Sequence, residues 1–300
     1  MRHIFGTCLT AAILALAAPA AAQDRRPPQE AEGQEIVVRG MKDRDRQVRD
    51  FVDALAKAPI GGQISRFEEE VCPAAIGLSP AQNLKVAARM RAVAAAVGIR
   101  VAKEGCSPNV SIIVAQDRDA MVKSIRAKWT DPLGDRVKVP NDGGKAVALH
   151  LEGRLDANGI PSAVQQETGD GRSGYYINEV ADGSSRIRPS SRPHFLGSIL
   201  VVEPAAIEGL TTTQLADYAA MRLLARTDPS RLASSAAPTI LQILDAPMDS
   251  SVPLTLTSWD FGFLKALYGS GEGRYANQQR NEMQRLMTKE LDKSQKGGGE

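Results

Sequence analysis

Three side chains in this sequence have the chemistry for acid-base or metal work: His150 in "AVALHLEG", His194 in "SSRPHFLG" and Asp217 in "LTTTQLADYAAMRLLARTDP". A hydrolase built on them would use an imidazole as general base or as one of three zinc ligands, with the carboxylate activating water. The chain has 3 histidines, and His3 lies in an N-terminal stretch that reads as removable. His150 and His194 are then too far apart for a His-Glu-x-x-His pair on one helix. "GRSGY" has Tyr175 where a Gly-x-Ser-x-Gly elbow needs its last glycine, and no Ser-x-x-Lys occurs. "PNDGGKAV" lacks the first Gly and the Ser/Thr of a phosphate-binding loop, so Gly143, Gly144 and Lys145 read as a turn.

The candidates differ in setting. His150 alternates with Leu149 and Leu151, as a packed or surface strand residue would. His194 stands beside Ser190 and Ser191 and reads as a loop histidine, with no acid in view to complete a Ser-His set. Asp217 is nearly isolated among Ala216, Ala219, Ala220, Leu223 and Leu224 on one side and Leu215, Tyr218 and Met221 on another. A buried carboxylate must be paired or protonated, so Asp217 is a structural hydrogen-bonding residue or the remnant of an active site.

The N-terminus sets the compartment. Arg2, an apolar run from Ile4 to Ala18 and the small residues Ala20, Ala21 and Ala22 predict a signal peptide over residues 1–22, cut before Gln23, and hence a periplasmic or secreted protein. Of 3 cysteines, Cys8 leaves with that peptide. Cys72 and Cys106 remain, and an even pair in an oxidising compartment predicts a disulfide worth up to ~4 kcal/mol in the chain-entropy model. With 37 Lys and Arg against 35 Asp and Glu, nothing calls for nucleic acid, and an aromatic share of 4% removes the base-stacking platforms of single-strand binders. No second apolar run reaches the length of a membrane span, so no integral span is expected after cleavage.

The elements that must position the candidates follow from periodicity. Residues 23–34 read as a disordered lead, "EIVVRG" as a short strand, and "KDRDRQVRDFVDALAKA" as an amphipathic helix. Ser79 and Pro80 start a second helix that Gly98 ends, with Leu84, Ala87, Ala88, Met90 and Val97 as its burying face. A strand over Val110–Ala115 leads into a helix over Asp117–Trp129, and Thr130–Pro193 reads as hairpins and long loops crossing a sheet edge. A buried strand over Gly197–Pro204 feeds the helix over Thr211–Arg226. Thr257, three residues before Asp260, predicts a capping box for a helix ending at Gly269, followed by a polar helix over Arg274–Lys293 and a disordered tail over 294–300. The fold class is α+β, a mixed sheet with helices in a single domain over residues 35–293.

Two features carry a resemblance. "Ala216-Asp217-Tyr218-Ala219-Ala220" has the frame of a zincin helix with Ala at both zinc-histidine positions and Asp at the glutamate. "LTSWDFGFLKALYG" resembles the "LT-x-x-D-x-x-x-L-x-x-LY" segment that follows the central helix in secreted, uncharacterised bacterial proteins with degenerate zincin-like, metallopeptidase-fold domains. The likeness spans roughly residues 110–286 and implies a zincin-like core with a C-terminal helical segment, no metal or other cofactor, and no peptidase activity. It points to an exported, non-catalytic binding or envelope-accessory protein. Sheet-edge material between Lys145 and Val180 would receive an extended peptide, or an envelope protein would be the partner. One alternative is a periplasmic hydrolase using Asp217, His150 and His194. Another is a structural interaction module docking through its last helix.

Overall fold

The computed structural model describes residues 41–56, 58, 62–128, 144–167, 174–180, 188–232, 235–247 and 250–297. The signal peptide, the polar lead and the "EIVVRG" strand lie outside the described residues, as do Trp129 of the expected third helix and residues 130–143, 168–173 and 181–187 of the expected loop region.

Helix α1 (Met41–Leu55) comes first, then β1 (Pro73–Ile76), α2 (Pro80–Ala96), β2 (Val110–Val114), α3 (Arg118–Lys128) and β3 (Ala146–Asp156). The hairpin β4 (Ala163–Glu167) and β5 (Gly174–Asn178), the long β6 (Ser191–Val202), α4 (Thr212–Leu223), α5 (Ser258–Gly269) and α6 (Ala276–Gly297) complete the chain. A four-stranded sheet has the order β1-β2-β6-β3, with β1, β2 and β6 parallel and β3 antiparallel to β6. This is the mixed sheet with helices that an α+β pattern requires.

The central strands "VSIIV" and "SILVV" are β-branched because both of their faces are covered. On one face Val147, Leu149 and Val201 pack under Val122 of α3. On the other, Ala146, Ala148, Ile112, Leu200 and Val202 join the main core with α1, α2, α4, α5 and α6. Phe51 of α1 lies edge-on to Trp259 and Phe263 of α5, and Met283, Met287 and Leu291 of α6 close that layer. Burying a side chain such as Phe51 stabilises the fold by about 2 to 3 kcal/mol before the entropy of ordering it is counted.

Local chemistry sets the helix ends. Ser79, Thr211 and Thr257 each cap a helix, with Gln82, Gln214 and Asp260 closing the reciprocal bond. Gly77, at φ +96°, is required where β1 passes β2, because a Cβ there would strike the Val114 carbonyl. The Cys72–Cys106 disulfide ties the entrance of β1 to the loop ahead of β2.

Three local expectations need correction. The buried face of α2 is Val86, Met90, Val93 and Ala94, continued by Val97, while Leu84 and Ala88 are exposed; a helix of alternating alanine and arginine offers little apolar contrast to set its rotation. Residues 294–297 continue α6 where composition reads as tail. The buried strand starts six residues early, at Ser191, through Pro193. That end of β6 pairs with β3 alone, so a residue without an N–H is tolerated there.

Candidate functional site

Helix α4 is enclosed on every side: all ten residues from Gln214 to Leu223 are buried. It packs across α2, the sheet and the 3-10 turn at Ile240–Gln242. Its capping box, Thr211 with Gln214, also ties the helix to the Pro253 carbonyl through the Gln214 side-chain amide.

Asp217 is wholly buried, with its carboxylate fully engaged. Arg89 of α2 donates Nε to Oδ1 at 2.7 Å and Nη2 to Oδ2 at 3.0 Å. The Thr255 hydroxyl and the Leu256 amide donate to Oδ2 at 2.7 and 2.8 Å. Arg89 Nη2 also reaches the Thr255 hydroxyl, at 2.9 Å, so three elements meet at one carboxylate. The hydrogen bonds to Asp217 push the Arg89 guanidinium further up from its ordinary value. Arg89 remains 37% exposed, so the pair seals Asp217 from one side while its cation stays hydrated.

The flanking positions answer whether a metal fits this frame. Ala216 and Ala220 have no donor atom and are fully buried in the core. At the two positions that the zincin resemblance would make zinc ligands, the side chains are methyl groups in close packing, which cannot bind zinc. Among the described residues no three His, Cys, Asp or Glu side chains converge closely enough to hold a metal ion.

His150 lies on β3 opposite Ser198, its ring tilted 35° against Phe195 with centroids 4.6 Å apart. Burial, then the positive Arg226 and Arg222, hold its imidazole down to about 3, so it is neutral at physiological pH. Its Nε2 is buried with no hydrogen-bond partner among the described residues.

His194 is a strand residue of β6 rather than a loop residue, opposite Gly153. A Cβ at Gly153 would press on His194 Nε2, so the small residue makes room for the ring. Burial is also the main cause that holds His194 below the ordinary histidine range. The Ser191 hydroxyl accepts from Arg154 Nε at 2.9 Å and Nη2 at 2.7 Å.

These placements separate the candidates. His194 and Phe195 are neighbours in a strand and point to opposite sheet faces, so His194 faces away from His150, which stacks on Phe195. Asp217 is engaged toward α2 and residues 255–256, and neither histidine is among its partners.

The sheet edge is narrower than its sequence suggests. Along β3, Ala146 to His150 are each buried because α3 covers one face and α4 the other. Leu151, Glu152 and Arg154 are partly exposed, and the Arg154 carbonyl already accepts the Ser162 amide.

Two arrangements have no counterpart in the sequence analysis. The Arg89 partnership joins residues 128 positions apart, and its only local hint is an arginine within an alanine-rich helix. The second is an ionic chain beside a cleft of about 590 Å³ lined in part by Asp156, Arg192, Glu272 and Arg274. Buried Arg66 donates to the Leu267 and Ser270 carbonyls and to Glu68, while Arg192 meets Glu272 at 3.2 Å. Burial raises the Glu68 carboxyl against the pull of Arg66.

Comparison with known proteins returns no matching family model, no matching curated sequence and no matching solved structure.

Proposed function

We propose that this chain is an exported, non-catalytic binding or envelope-accessory protein on a metal-free, zincin-like scaffold. The observation that carries the reading is Asp217: the carboxylate in the place of a catalytic glutamate is buried and fully engaged by Arg89, Thr255 and the Leu256 amide. Activating water would require an accessible lone pair and a metal or a second acid-base group beside it. The flanking alanines and the separation of both histidines supply neither.

The same chemistry supports an architectural role for α4. A charge-assisted pair holding a helix to α2 and to the segment before α5 fixes the positions of three elements. An extended peptide or an envelope protein remains the proposed partner, and for strand addition the partly exposed Leu151 and Glu152 are the part of β3 to use, since the Arg154 carbonyl is already taken by the Ser162 amide.

Elemental analysis of protein purified from the envelope without chelators tests the reading. Substoichiometric zinc that washes out on dialysis is the expected result. One tightly held zinc per chain would overturn it.

A further inference from the structure

The groove between α1 and α6 is charged in a way that neither helix needs for packing. It is a cavity of about 440 Å³ lined in part by Arg49 and Asp53 of α1, Arg231 of the 3-10 turn Pro229–Leu232, and Asn277, Arg280, Asn281 and Gln284 of α6. The four α6 residues recur at i, i+3, i+4 and i+7, one face of the helix, and Arg49 and Asp53 stand one turn apart on α1. Three guanidiniums therefore face a single carboxylate.

Their states differ. Arg280 is held in place: Nη1 donates to the Ala56 carbonyl at 3.2 Å, Nη2 to Asn277 Oδ1, and Nε lies 3.6 Å from Asp53 Oδ1. Asp53 is also approached by the Gln284 amide at 3.5 Å, so its charge is already shared. Arg49 and Arg231 are exposed and make no ion pair among the described residues. They come from separate elements, and two unpaired cations on one small cavity raise its potential unless an anion lies between them.

We infer that this groove binds a small anionic sugar, one carrying a phosphate or a carboxylate. Guanidiniums match either group through paired N–H donors. Side-chain amides such as Asn281 and Gln284 both donate and accept, as sugar hydroxyls require. The cavity falls in the size range of small-molecule sites, and its polar lining suits a polyhydroxylated ligand over an apolar one. The site goes beyond the reading of α4 and stands apart from it, sharing no residue with Asp217 or its partners.

Calorimetric titration of the full mature chain at low ionic strength tests it, with glucose 6-phosphate, glucuronate, glucose and inorganic phosphate as probes. One of the two anionic sugars should bind at least tenfold more tightly than glucose, and the better one identifies the acidic group. The double variant Arg49→Gln/Arg231→Gln should weaken that binding at least tenfold while melting as wild type does, since both side chains are exposed. Added salt should weaken it further. Failure of both anionic sugars to bind, or equal binding by the double variant, would overturn the site. Inorganic phosphate binding as tightly as the sugars would overturn the assignment of a sugar.

Discussion

Asp217 and Arg89 divide one ion pair unequally, the carboxylate buried and the guanidinium partly in water. The two partners should therefore respond differently to mutation. Asp217→Asn keeps an acceptor for Thr255 and Leu256 and turns an amide toward Arg89, which can move into solvent; a loss of about 1 to 3 kcal/mol is expected. Arg89→Ala leaves a buried carboxylate without its counter-charge, and a larger loss of about 3 to 5 kcal/mol is expected. Chemical denaturation of both variants checks the order, and an Asp217→Asn more damaging than Arg89→Ala would contradict it. His150 makes a pH prediction. Its folded value of about 3 lies below the unfolded 6.5, so its contribution is complete above pH 6.5 and is lost as pH falls, because only the unfolded chain takes up the proton. The loss steepens as the unfolded imidazole takes up its proton below pH 6.5. His150→Gln should flatten the fall in melting temperature between pH 7 and pH 5, and an unchanged slope would show that other groups dominate. The burial of Asp217 was legible from its apolar neighbours. Arg89 was not, because a contact across 128 positions leaves no mark in either local pattern.

At the scale of elements, what the sequence made legible and what it hid divide along the range of the interaction. The capping box at Thr257 and the amphipathic pattern of α1 involve neighbours within two turns, and both are legible in spacing; the box at Thr211 with Gln214 is equally local but is absent from the sequence expectations. Asp260 shows the limit. Its cap on Thr257 is local, but the same carboxylate also accepts the Thr239 hydroxyl and the Ile240 amide, tying α5 to a turn some twenty residues earlier. The rotation of α2 and the true start of β6 depend on which strands and helices lie alongside, and alanine and proline signal neither. The disulfide tests this level. It spans 34 positions and fastens the entrance of β1 beside β2, where the Asn109 side chain also accepts the Cys72 amide. Reduction should lower the melting temperature without changing the oligomeric state. Two free thiols in non-reducing peptide mapping would contradict the bridge.

For the whole molecule, one sheet face carries α3 while the other carries the main core, and α4 is buried between the sheet, α2 and the Ile240–Gln242 turn. Among the described residues no helix is long and apolar enough to cross a membrane. The α+β class followed from alternating periodicities, whereas function did not, because the residue types that announce chemistry are sparse and are placed apart. On the function proposed above, the α4 frame is architectural rather than catalytic. Incubation of a diverse peptide library with the protein and with Asp217→Asn, followed by mass spectrometry, tests this reading. No cleavage above the protein-free blank is expected for either. Cleavage by the wild type that disappears in an Asp217→Asn protein of normal melting temperature would contradict it.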